Sequence, residues 1–119
     1  MAKPRVDPAE GHAAVEAVRA GSTERTHVAA AVRYLLQLVT DVAPGHTVEL
    51  RVPPFGAVQC VEGPEHTRGT PPNVVEMDSA TWIALATGTL SWAMAYDAGK
   101  ISASGVRSDL SELVPLAEW

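Results

Sequence analysis

Between Ser22 and Gly45 the apolar residues recur with a helical period. Val28, Val32, Leu35, Leu36, Val39 and Val42 fall at offsets 0, 4, 7, 8, 11 and 14, a single stripe along one helix. Arg33, Gln37 and Asp41 mark the opposite, wet face. Ser22 or Thr23 is a fitting cap and Pro44-Gly45 a stop. Upstream, Asp7-Pro8-Ala9-Glu10 has the makings of a capping box with proline in the first turn, and Gly21 ends the segment. This predicts a first helix from about Pro8 to Ala20. Its apolar content is mostly alanine, so it should lie close against a neighbour.

The period then switches to two. In "TVELRV", Val48, Leu50 and Val52 share one face and Thr47, Glu49 and Arg51 the other. "PPFG" breaks the run and "AVQCVEG" resumes it, which predicts an antiparallel hairpin with Val58 and Cys60 on one face. "PEHTRGTPP" reads as a broken polar connection whose middle can pair briefly as an edge strand. "NVVEM" reads as a strand, Asp78 or Ser79 caps a helix ending at Gly88, and Ser91 caps another ending at Gly99. "KISASG" is a last strand with Ile101 and Ala103 facing one way, and "SDLSELVPL" is expected to make one or two helical turns. Helices and strands in this order predict an α+β fold: an antiparallel sheet of four to five strands with helices packed on one face. Residues 1–6 are expected to be frayed and residues 7–119 to form one domain.

Bulk composition narrows the classes. The 119 residues are 46% hydrophobic and 19% charged, enough for a packed core. Net charge is −5 and the nine Lys and Arg are scattered, which argues against a nucleic-acid surface and against anionic membrane surfaces. The single cysteine cannot make an internal disulfide, the first residues have no apolar signal-peptide core, and no run approaches a bilayer span. The expectation is a cytoplasmic protein with no stable membrane insertion.

The stretch Asp78 to Leu116, "DSATWIALATGTLSWAMAYDAGKISASGVRSDLSELVPL", resembles the C-terminal signature of the sterol carrier protein-2 domain. The matching features are the acidic cap Asp78, Gly88, the pair Gly99-Lys100, the strand Ile101 to Gly105, and the closing Leu110 to Leu116. "VELRVPPFGAVQCVEGPEHTRGTPPNVVEMD" is similar to a narrower branch, the small stand-alone bacterial orthologues found in actinobacteria. More distantly it resembles the C-terminal domain of mycothiol-dependent maleylpyruvate isomerases. The resemblance implies a five-stranded antiparallel sheet under helices, often with an apolar cavity between the layers that takes acyl chains, acyl-CoA or sterols. The isomerase relatives carry their metal histidines on a separate helical bundle that this chain lacks, so that activity does not transfer.

Three functional readings follow. The first is a non-catalytic binding module, a carrier of an apolar small molecule or lipid. Phe55, Trp82, Leu85, Trp92 and Tyr96 are its candidate cavity residues, and His66 and Arg68 its candidate polar rim. The second is a closed-core domain that acts through a protein partner or a second copy of itself. The third is a thiol-dependent enzyme using Cys60, which needs a base or positive field beside the sulfur. His66 and Arg68 lie six and eight residues beyond Cys60, across a turn, and no spacing demands that they approach it. A lone cysteine on an alternating strand reads instead as a small buried residue. His12, His27, His46 and His66 show no i+3 or i+4 pairing, so no metal site or cofactor is expected.

Overall fold

The computed structural model describes residues 5–63 and 73–119. Helix α1 (Pro8–Arg19) is followed by α2 (Arg25–Val42), strands β1 (Val48–Val52), β2 (Gly56–Cys60) and β3 (Asn73–Glu76), helices α3 (Ser79–Thr87) and α4 (Trp92–Asp97), and strand β4 (Ser102–Ser104). The four strands form one sheet in the order β2-β1-β3-β4. The expected brief pairing within "PEHTRGTPP" lies outside the described residues.

The fold is α+β, as the periodicities predict. One detail differs: β1 and β3 run parallel, whereas β1–β2 and β3–β4 are antiparallel. The reason is where β2 ends. Cys60 pairs with Val48 at the start of β1, and Asn73 also pairs with Val48, from the other side. β2 therefore ends, and β3 begins, at the same end of β1. Alternation along β1 follows the predicted faces. Val48, Leu50 and Val52 are fully buried, while Glu49 and Arg51 are half-buried on the other face and pair with each other.

The core lies between the buried face of the sheet and the helices. Val32, Leu35, Leu36 and Val39 of the predicted α2 stripe are buried; Val42, at its end, is exposed. The helix starts later than Ser22 or Thr23 would place it. Glu24 is the N-cap residue and makes no side-chain capping bond, while Ser22 Oγ lies 2.6 Å from His27 Nδ1. Helix α1 lies against α2 at a close approach, as its alanines suggest. A methyl group on Gly11 would stand 2.2 Å from the buried ring of Tyr34, so only glycine leaves room for that ring.

The polar face of α2 is put to use. Arg5 makes a two-pronged ion pair with Asp41, at 3.2 and 2.8 Å. Gln37 clamps the backbone of Val6, accepting from its N–H at 2.8 Å and donating to its carbonyl at 3.0 Å. Arg5 and Val6, within the stretch expected to fray, are thus in contact with α2. At the other terminus, Trp119 stacks on His12 at 5.1 Å under the guanidinium of Arg19.

The buried Asn73 side chain has both of its polar atoms matched. The Asn73 amide, 2% exposed, donates to the Thr47 carbonyl and accepts from the Arg107 N–H, both at 2.9 Å, tying the start of the central strands to the segment after β4. The segment 108–116 is not helical as expected. Asp109 accepts from the N–H of Ser111, two residues on, a local bond that competes with helix, and a single turn closes from the Leu113 N–H to the Leu110 carbonyl.

Helix α3 starts where predicted, at Asp78. Its carboxylate accepts from the Thr81 N–H at 2.8 Å. That bond, with the Thr81 hydroxyl and the charge of Lys100 adding to it, holds Asp78 below its ordinary value. A carboxylate with a depressed pKa stabilises the fold above its unfolded value, and the contribution is lost as pH falls through the folded one. Asp78→Ala is therefore expected to lower the unfolding free energy by about 1 kcal/mol at pH 7. The gap between variant and parent should close as the pH drops below 3.8, the ordinary value. Urea unfolding across pH checks this, and a gap independent of pH would refute it.

Candidate functional site

The described residues place the sequence-predicted cavity residues in different environments. Trp82 and Leu85, on α3, are fully buried in the core. The Trp82 indole N–H reaches the Val32 carbonyl at 3.4 Å. Trp92 packs against the core from its edge, and Tyr96 is 54% exposed. Phe55 is the one of the five that borders a groove among those described. His66 and Arg68 lie outside the described residues.

That groove, of about 410 Å³, runs between α2 and the edge strand β2. Its helix wall is Arg33, Leu36, Gln37 and Thr40, spaced by three and four residues so that they share one face. Its strand wall is Phe55 through Val58, and Arg5 and Val6 close one side. Two features of the sequence leave it open. Gly56 and Ala57 give the strand little side-chain volume, and a methyl on Gly56 would stand 3.2 Å from Leu36 Cδ1. The "PPFG" turn, closed by a bond from the Phe55 N–H to the Val52 carbonyl at 2.9 Å, brings Phe55 back toward α2.

Phe55 is held by two arginines. Arg33 Nε donates to its carbonyl at 2.9 Å, and the Arg25 guanidinium lies over its ring at 5.0 Å. The walls are thus apolar at Val6, Leu36, Phe55 and Val58, polar at Gln37 and Thr40, and cationic at Arg5 and Arg33. Sequence reasoning found Phe55 and assigned Arg33 and Gln37 only to a wet helix face. The signal that could have marked them was their i, i+4 spacing opposite a glycine-alanine stretch of strand. Pairing α2 with that particular strand is long-range information.

Cys60 ends β2 with its side chain fully buried. Burial pushes the thiol up to about 11, opposite to the direction a nucleophilic thiolate requires. Ellman's reagent at pH 8 is therefore expected to label the folded protein at least 100-fold more slowly than the protein in 6 M guanidinium, an order of magnitude set by the rarity of opening. Equal rates in the two conditions would contradict the burial. Among the described residues no group of three or more His, Cys, Asp or Glu could hold a metal ion, and no helix is long and apolar enough to cross a membrane.

A helical layer over one face of a mostly antiparallel sheet, with a groove of mixed polarity at its margin, defines a small α+β domain. The family described as bacterial SCP ortholog matches residues 24–116, and the chain belongs to that family. The match begins at the N-cap of α2, so α1 lies outside it. No curated protein matches the chain.

Proposed function

We propose that the protein is a non-catalytic carrier that binds a small apolar or acyl-chain molecule between its helices and its sheet. The observation that carries this reading is the groove along α2 and β2. Its apolar residues Leu36, Phe55 and Val58 come from both layers, and its volume falls in the range of small-molecule sites. Membership of the bacterial SCP ortholog family supports the same reading, because the sterol carrier resemblance implies a space for acyl chains between the layers. The ligand's chain lies against Phe55 and Leu36, where burial of apolar surface supplies the affinity.

Delipidated protein titrated with a fluorescent acyl probe tests the reading. Saturable binding in the micromolar range is expected, weakened by Phe55→Ala because that ring forms part of the wall. Absence of saturable binding would sink the proposal, as would full affinity in the Phe55→Ala protein.

A further inference from the structure

We infer that the molecule held in the α2–β2 groove carries an anionic head group, and that Arg33 binds it. This deepens the carrier reading and rests on it. The argument begins from charge. The chain as a whole is acidic, with fourteen Asp and Glu against nine Lys and Arg. The groove reverses that balance: Arg5 and Arg33 line it, Arg25 lies over the Phe55 ring at its border, and none of its lining residues is acidic. Three of the nine cations thus gather at one groove of a protein whose net charge is −5.

The three are not equivalent. Both terminal nitrogens of Arg5 are spent on Asp41. Arg25 stands over the aromatic ring and makes no ion pair among the described residues. Arg33 uses only Nε, on the Phe55 carbonyl, and makes no ion pair among the described residues. That bond fixes one edge of the planar guanidinium and leaves the N–H groups of both terminal nitrogens to bind a ligand. The competing polar groups in the groove are already engaged: Gln37 with both backbone groups of Val6, and the Thr40 hydroxyl with the Gln37 carbonyl at 2.7 Å. The uncommitted polar side chain in the walls is therefore a cation, anchored beside the apolar surface of Leu36, Phe55 and Val58. A carboxylate or phosphate matches its forked donors, and a single apolar chain matches the rest.

Calorimetric titration of the delipidated full chain with decanoate, monodecyl phosphate and 1-decanol tests this in low salt. The chain length is constant, so the comparison isolates the head group, and the two anions tell a carboxylate from a phosphate ligand. One or both anions should bind roughly tenfold or more tightly than decanol, the worth of a charge-assisted bond. In Arg33→Gln that preference should shrink to about twofold, with decanol affinity retained; Arg33→Lys, which keeps the charge, should keep most of it. Gly56→Ala narrows the floor and should weaken anions and decanol alike. Decanol binding as tightly as both anions would overturn the anionic head group and leave the carrier standing. An anion preference unchanged in Arg33→Gln would overturn the role of Arg33. Failure of all three compounds to bind would remove the carrier reading itself, and this inference with it.

Discussion

Replacing Gly45 by alanine is expected to destabilise the protein by about 3 kcal/mol or more, combining roughly 1–3 kcal/mol of backbone strain with a similar overpacking term. Gly45 has φ +147, a conformation that L residues rarely adopt. An added Cβ would stand 2.1 Å from the carbonyl oxygen of Val61, 2.3 Å from its carbonyl carbon and 2.6 Å from the Glu62 nitrogen. These are backbone atoms and cannot swing aside as a side-chain tip would. They are also pinned. The Val61 N–H donates to the Ala43 carbonyl at 2.8 Å, its carbonyl accepts from Thr47 at 3.1 Å, and Val61 itself has φ 70. The joint holds the end of α2, the entry to β1 and the exit from β2 together, so relief at one point strains the others.

Gly21→Ala is the control for that experiment. It too has a positive φ, +108, but a methyl there meets nothing within 4 Å. Its cost should be the conformational part alone, about 1–2 kcal/mol. Urea unfolding of both variants separates the two contributions. A Gly45→Ala protein no less stable than Gly21→Ala would show that the backbone contact relaxes and that the joint is not rigid.

Trp82→Ala is expected to lose about 3–5 kcal/mol, the range for deleting a large buried aromatic. The side chain is 1% exposed, and it is wedged where α3 meets α2, with its indole N–H directed at the Val32 carbonyl. Truncation opens a cavity beside Val32 that the surrounding helices fill only in part. Tyr96→Ala, in the same group of candidate residues by sequence, should change stability by no more than about 0.5 kcal/mol, because its ring is largely in solvent. Chemical denaturation reads both. A loss below about 1 kcal/mol for Trp82→Ala would mean that its site collapses freely, contrary to a close-packed interior. The pair also separates packing from binding: Trp82 is expected to register in stability, Phe55 in acyl-probe affinity.

Local chemistry made much of this fold legible. The caps at Asp7, Asp78 and Ser91 all accept bonds from first-turn N–H groups at the positions their sequence context suggests. Gly88 ends α3 in the left-handed conformation that glycine alone adopts freely. The hydrophobic stripe of α2 and the alternation of β1 announced their buried faces because burial on one side imposes the period. Where the reading failed, a local competitor or a distant neighbour decided. The Asp109 carboxylate took the Ser111 N–H that a helix would have left to another partner. Arg5 and Val6 carry no pattern of their own, and the partners they meet, Asp41 and Gln37, lie on α2 more than thirty residues away.

The candidate site divides in the same manner. Phe55, the one phenylalanine, belongs to the apolar set that the sequence offered for core or cavity, and the structure sets it at the border of the groove. Trp82 and Tyr96 could not be told apart, as both follow capped helix starts in apolar runs.

By itself, then, the amino-acid order determined helices α1 to α4, strands β1 to β4 and the inward side of α2 and β1, because caps, turns and hydrophobic period act over a few residues. Tertiary structure alone decided that β3 runs parallel to β1, because that follows from β2 ending and β3 beginning beside the same residue, Val48, a pairing between distant parts of the chain. It alone placed the small residues of β2 opposite Arg33 and Leu36, since the width of a groove depends on which two surfaces meet across it.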